Sequence, residues 1–274
     1  MIKTRGFSYD TLAAYLAAKK AADYLGNTSR DAVGYKNPGD ISTGEYEDNN
    51  DVDERFWAYT ELFKTTGDSS YEKKAKDELC DSDYALGWQG VAGYGAYAYL
   101  TAKSQDEALL KEINDDALKT SELIVANADT YAYGSSIVGD YPWGSNLTIA
   151  NNGEFLLMMN KAIGEDNKET VEKQIGYLFG NNATGYSFFT GFGTTYTDHP
   201  HHRPSQALKK TVPGMVAGGP NNGLNDPYAA NVLKGVARAK CYVDNSQSYS
   251  TNEVAIYWNS PLVYVLAGEI ATCR

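Results

Sequence analysis

Apolar residues recur at three- and four-residue spacing through most of the chain, and the intervals between are rich in Gly, Pro, Asn and Asp. That pattern predicts helices joined by long loops, with little sign of strands. A first helix runs from Tyr9 to Leu25, carrying Leu12, Tyr15, Leu16, Ala22 and Tyr24, and Gly26-Asn27 ends it. Residues 26 to 51 hold too many breakers for a regular element. Asp53-Glu54 opens a second helix, with Val52, Phe56, Tyr59 and Phe63 on one face and a stop at Thr66-Gly67-Asp68. A third runs from near Ser70 to near Cys80. A glycine-rich aromatic stretch, residues 83 to 94, leads into a helix through Tyr97 and Leu100. Residues 105 to 127 form another, with Leu109, Leu110, Ile113, Leu118, Leu123 and Ile124 as its apolar positions. The loop 141 to 146 precedes a helix from Asn151 to Ile163, and 168 to 180 precedes a long loop to about residue 226. Residues 227 to 240 read as partly ordered, and a last helix spans 253 to about 270. Long loops in a compact domain are usually functional. The alternation of helix and aromatic loop suits an all-α toroid of paired helices with a cleft at one rim, since a plain bundle has shorter connections.

Composition narrows the partners. A chain of 274 residues can bury a sizeable core in one large domain or two small ones. With 35 acids against 24 bases the formal charge is -11, which argues against nucleic acid and anionic membranes and fits a neutral or cationic partner. The 22 Tyr and 4 Trp exceed what a core needs and suit flat, polar, ring-shaped ligands such as sugars; filling a helical core is the competing reading for individual Tyr residues. Cys80, Cys241 and Cys273 are widely spaced and odd in number, so neither a CxxC metal site nor a disulfide framework is expected. No apolar run approaches the roughly 20 residues that cross a bilayer. The opening residues read as an amphipathic helix in progress and not as a signal core, so the chain is expected to start inside a longer domain.

Candidate chemistry concentrates in two segments. Tyr242 to Ser260 places Asn252-Glu253 at the head of an apolar run that carries Trp258. Ser250, Thr251 and Asn252 are helix-starting residues, so Glu253 is expected in a first helical turn. There the helix N-terminus favours its charge, whereas aromatic surroundings raise its pKa and make it a proton donor; simple capping is the alternative. The second segment holds all three histidines, His199, His201 and His202, followed by Arg203 and bracketed by Pro200 and Pro204. Its readings are a zinc site, a rigid polar loop that donates to hydroxyl and leaving-group oxygens, or a surface loop paired to acids. Two prolines are expected to hold it extended. The glycines around Gly87-Trp88-Gln89-Gly90 lack the Lys-Ser/Thr pair and the βαβ context of a phosphate loop.

These segments resemble the two signatures of glycoside hydrolase family 9, cellulases with an (α/α)₆ barrel. The first is Ser187-Phe188-Phe189-Thr190-Gly191-Phe192-Gly193 followed by Pro200-His201-His202-Arg203-Pro204-Ser205; the second is Tyr242-x-Asp244-x4-Tyr249-x3-Glu253-x-Ala255-x3-Asn259-Ser260. Asp53 to Ala58, Gly87 to Gly93 and Trp143 to Asn146 are similar to further family segments. The resemblance implies that residues 1 to 274 are the C-terminal portion of a single catalytic domain, an incomplete toroid without its N-terminal helices that exposes apolar helix faces. It implies catalytic roles for Glu253 as general acid, for His201, and for Asp244 in ordering the site. Arg203, His202, Trp143, Trp258 and Tyr249 would contact substrate, a cellulose or β-1,4-glucan chain. Family members invert, so a second carboxylate should lie about 6.5 to 9.5 Å from the acid. The family's base lies in an Asp-Ala-Gly-Asp segment absent from this sequence, so either a catalytically weak chain or a sugar-binding remnant is expected. No cofactor is required; calcium is compatible with the family and with the acidic residues from Glu45 to Asp53. An extracellular location follows from the substrate class.

Overall fold

The structure, a computed structural model, describes residues 8–27, 36–42, 44–45, 48, 50–79 and 84–272. Every long regular element among them is helical, and the only β-type pairings are isolated bridges. The all-α class expected from the spacing is therefore observed. The helices are α1 (Ser8–Gly26), α2 (Val52–Thr66), α3 (Ser69–Asp77), α4 (Ala92–Leu100), α5 (Glu107–Thr130), α6 (Ser145–Ile163), α7 (Lys168–Leu178), α8 (Arg203–Leu208), α9 (Pro227–Val232), α10 (Tyr249–Asn252) and α11 (Ile256–Thr272). Cys80 and Cys273 lie outside the described residues, whereas Cys241 is a buried free thiol. No described helix is long and apolar enough to cross a membrane.

The chain divides into two compact units, and the division falls within α5. In the first unit, α2 is the hub. Asp53 and Glu54 complement its N-terminus, and Gly67 ends it in a left-handed conformation with its N–H on the Phe63 carbonyl. Its buried face, Phe56, Tyr59, Leu62 and Phe63, packs against α3 and α4. The approach to α4 is close because Gly95 has no Cβ: one built there would lie 2.5 Å from the Phe56 ring. Arg55 is buried yet satisfied, bridging to Asp51 at 2.8 Å.

In the second unit, Ile149, Phe188, Val216, Tyr242 and Leu262 share a core with Tyr141 and Tyr177. For these tyrosines, and for Tyr59, Tyr71, Tyr84 and Tyr99, core filling is the correct reading. Helix α6 packs against α7 and α11 and begins at Ser145, six residues before the expected start. Ser145 and Asn146 look like loop residues but are fully buried: the Ser145 hydroxyl donates to the Pro220 carbonyl at 2.7 Å and the Asn146 amide to the Ala217 carbonyl at 2.8 Å. Along α11, Ile256, Val263 and Ile270 fall seven apart and are exposed, an uncovered apolar stripe of the kind expected for an incomplete toroid.

The long loop after α7 is more ordered than its composition predicts. Bridges pair Phe189 with Val216, His201 with Glu253, and Ala217 with Val254. Short helix α8 interrupts it and α9 follows it, each with a proline in its first turn. The expectation that Pro200 and Pro204 keep the histidine segment extended is thus half right: His202 is extended, but Arg203-Pro204 begin α8, where a missing N–H does no harm. Asp226 anchors the far end. Its buried carboxylate accepts from the Ala229 amide, capping α9, and from the Ser248 hydroxyl and both the amide and hydroxyl of Ser250. Burial alone pushes this carboxyl upward, but those hydrogen bonds outweigh it and hold it below the ordinary range. Because the fold favours the ionised form, its contribution is full above the ordinary carboxylate pKa and is lost as pH falls through the folded value. Asp226→Ala should destabilise the protein by about 3 kcal/mol at neutral pH, measured by urea denaturation, and the deficit should shrink in acid.

Candidate active site

The site is built where the chain leaves α10. Ser250, Thr251 and Asn252 are fully buried, and their polar groups bind other segments in place of capping a following helix. Asn252 is the junction. Its carbonyl accepts from the His201 amide at 2.7 Å, its side-chain oxygen accepts from the Tyr242 hydroxyl at 2.8 Å, and its side-chain amide donates to the His199 carbonyl and the Asp244 carboxylate. Sequence reasoning read Asn252 only as a helix-starting residue; its place next to Glu253 was the available signal.

Glu253 is not in a first helical turn, contrary to the sequence expectation. It is extended (φ -62°, ψ 153°) and closes α10, while α11 starts only at Ile256. The reason is competition from tertiary hydrogen bonds: the Glu253 carbonyl accepts from the Gly218 amide at 2.9 Å, and the preceding carbonyl is held by His201. A helix beginning at 253 would have to give up both pairings.

The Glu253 side chain is half-buried, and its Oε2 accepts from the Trp143 indole at 3.1 Å. The Trp143 ring lies 5.5 Å from Tyr249, which lies 5.9 Å from His201. Burial raises the Glu253 pKa; the Trp143 hydrogen bond and the charge of His201 oppose this without cancelling it. Placed between α10 and α11 instead of in a first helical turn, the carboxyl keeps that upward shift. His201 donates from Nδ1 to the Ser246 carbonyl at 2.6 Å, which leaves Nε2 for a ligand.

The other expected residues divide in two groups. Trp143 (43% exposed), Tyr249, His201 and Glu253 come together. Asp244 sits beside them as an organiser, its side chain 9% exposed and accepting from the Asp198 and His199 amides, the His199 ring and Asn252. His202 uses Nδ1 to cap α8 through Ser205, and Arg203 is exposed in the first turn of that helix. Trp258, expected to contact ligand, is buried at 3% exposure. Its ring packs against Gly144 and Gly218, whose added Cβ atoms would each fall 3.1 Å from it, so it supports the site from within. The three imidazoles diverge to Asp244, Ser246 and Ser205, and no cluster of three or more metal-ligating side chains exists among the described residues. The acidic stretch considered for calcium lies partly outside the described residues; within it, Asp51 binds Arg55 and Asp53 accepts from the Val91 amide.

A family model described as Glycosyl hydrolase family 9 matches residues 8–266. The chain belongs to glycosyl hydrolase family 9. It is 32% identical over 262 residues to a cellodextrinase of Butyrivibrio fibrisolvens, covering 87% of this chain and 47% of that protein. It is also 32% identical to endoglucanase D of Acetivibrio thermocellus, covering 93% of this chain and 39% of that protein. Among solved family structures, AaCel9A in complex with cellobiose-like isofagomine superposes with a TM-score of 0.89 at 36% identity, covering 93% of this chain and 49% of that one. The chain thus spans about half the length, or less, of the family 9 relatives it matches. That share accords with part of an (α/α)₆ toroid.

The environment of Glu253 makes a family-independent prediction. The Trp143 hydrogen bond favours the carboxylate, so Trp143→Phe should move the Glu253 titration further upward, read by carboxyl-region infrared difference spectra. A carboxyl raised in the fold lowers stability as pH climbs from its unfolded pKa through its folded one. Glu253→Gln should therefore unfold at a higher temperature than wild type above that window and not below it.

Proposed function

We propose that this chain supplies the proton-donating side of a β-1,4-glucan hydrolase site. The observation that carries the reading is the half-buried Glu253 carboxyl, whose pKa burial raises and whose Oε2 the Trp143 indole orients. A protonated acid at that position delivers its proton to the glycosidic oxygen as the bond to the anomeric carbon breaks. Trp143 and Tyr249 offer ring faces to the sugar, while the Arg203 guanidinium donates to its hydroxyls and His201 Nε2 accepts from them. Asp244 acts by holding the histidine loop, because four donors already occupy its oxygens.

An inverting reaction also needs a base across the sugar, about 6.5–9.5 Å from the acid. The Asp-Ala-Gly-Asp segment that provides it in the family is absent from this sequence. Without a base to activate water the rate falls by roughly 10²- to 10⁴-fold, so the polypeptide by itself should bind glucan and cleave it poorly. Cellulose and related β-glucans are the proposed substrates, in keeping with relatives named as cellodextrinase and endoglucanases. An insoluble polymer is met outside the cell, which supports an extracellular location.

A second reading is a domain that grips cello-oligosaccharides without cutting them. Both are tested in a protein that contains the complete family domain. Glu253→Gln should reduce kcat on a soluble β-1,4-glucan by about 10²-fold or more, with cello-oligosaccharide affinity by calorimetry nearly unchanged. Unchanged turnover would remove Glu253 from the acid role; binding without product release from wild type would favour the second reading.

A further inference from the structure

The histidine loop borders a cavity that the Glu253 chemistry does not use. It has a volume of about 730 Å³, and its walls include Tyr196, Asp198, His199, Gln206, Lys209 and Lys210. Glu253, Trp143, Tyr249, His201 and Arg203 are not among its lining residues. The volume falls within the roughly 300–1,000 Å³ of small-molecule sites.

Its charge is the reverse of the chain's. The protein carries a net -11, a field that disfavours anions at long range, yet Lys209 and Lys210 line this cavity with no carboxylate partner among the described residues. Lys209 is also held in a left-handed backbone conformation (φ 50°) at the end of α8, an unfavourable place for a side chain with a Cβ. His199 has Nδ1 on Asp244 at 3.1 Å, so Nε2 is its remaining ring nitrogen. Gln206 adds an amide and Tyr196 a phenol. Against the two lysines, the Gln206 amide and the Tyr196 phenol stands one lining acid, Asp198.

We infer that this cavity is a binding site for an acidic sugar, a uronate carried on a polysaccharide chain. Two ammonium groups receive its carboxylate, and Asp198 accepts hydrogen bonds from its ring hydroxyls. The pairing of cations with one acid is what separates a uronate from a bare anion. Phosphate satisfies the lysines but is repelled by Asp198, and a neutral sugar satisfies Asp198 but leaves the lysines without a counter-charge. None of Glu253, Trp143, Tyr249 and His201 lines this cavity, although Ser246 and His199, which do, hold His201 and Asp244 from behind.

Calorimetry of the full chain with glucuronate, glucose and inorganic phosphate tests the assignment. Glucuronate should bind one to one, more weakly as salt is raised, with glucose showing no heat at the same concentration. Lys209→Met/Lys210→Met should lower glucuronate affinity by about tenfold or more; both side chains are exposed, and an unchanged thermal transition checks the fold. Asp198→Asn should weaken glucuronate and strengthen phosphate, opposite signs that misfolding does not produce. Absence of glucuronate binding, phosphate binding as tight as glucuronate (an adventitious ion only), or displacement of glucuronate by a neutral cello-oligosaccharide would each overturn the proposal.

Discussion

The second unit depends on a short backbone pairing: the Asn252 carbonyl on the His201 amide and the Glu253 carbonyl on the Gly218 amide. These two hydrogen bonds stop α10 after one turn and delay α11, leaving a three-residue extended break. Backbone donors and acceptors must be satisfied when buried, and here the partners come from distant loop residues. The break puts the Glu253 side chain among Trp143, Tyr249 and His201 instead of on a helix flank. In a first turn the helix dipole would stabilise its negative charge; in the break, desolvation dominates. The same pairing therefore sets both the position and the protonation preference of the acid.

Around that pairing the loops are held by buried polar side chains. Asn252 links four groups, Asp244 accepts from four donors, and Asp226 joins the start of α9 to Ser248 and Ser250. A network of this type is rigid when complete and strongly destabilising when one member is removed. It allows a segment poor in apolar residues to keep a defined shape. The apolar core supports it from the other side: Phe188 and Val216 belong to that core, and they lie in segments joined by the loop's own bridges. Trp258 fills the space that Gly144 and Gly218 leave open.

The histidine segment shows how one loop can serve several ends. Three adjacent imidazoles have three different partners, so a cluster that looks like a metal site in sequence becomes a junction between Asp244, Ser246 and the start of α8. Proline contributes to the helix start as much as to extension, because its fixed φ suits a first turn. Only His201 carries a ring into the Glu253 group.

The helices were legible in sequence because burial of an apolar face repeats with the helical period, and α1 to α5 and α7 start and stop close to where glycines and capping residues predict. The segment that holds Glu253 was legible too, from the spacing between Tyr242, Asp244, Tyr249 and Glu253. What the tertiary structure alone decided was the use made of polar residues. Ser145 and Asn146 extend α6 because distant carbonyls accept from them, Ser250 to Asn252 serve neighbouring loops and not a helix start, and Trp258 turns inward. Local propensity counts only hydrogen bonds within a segment, whereas a polar side chain that finds a buried partner far along the chain follows the stronger, non-local demand.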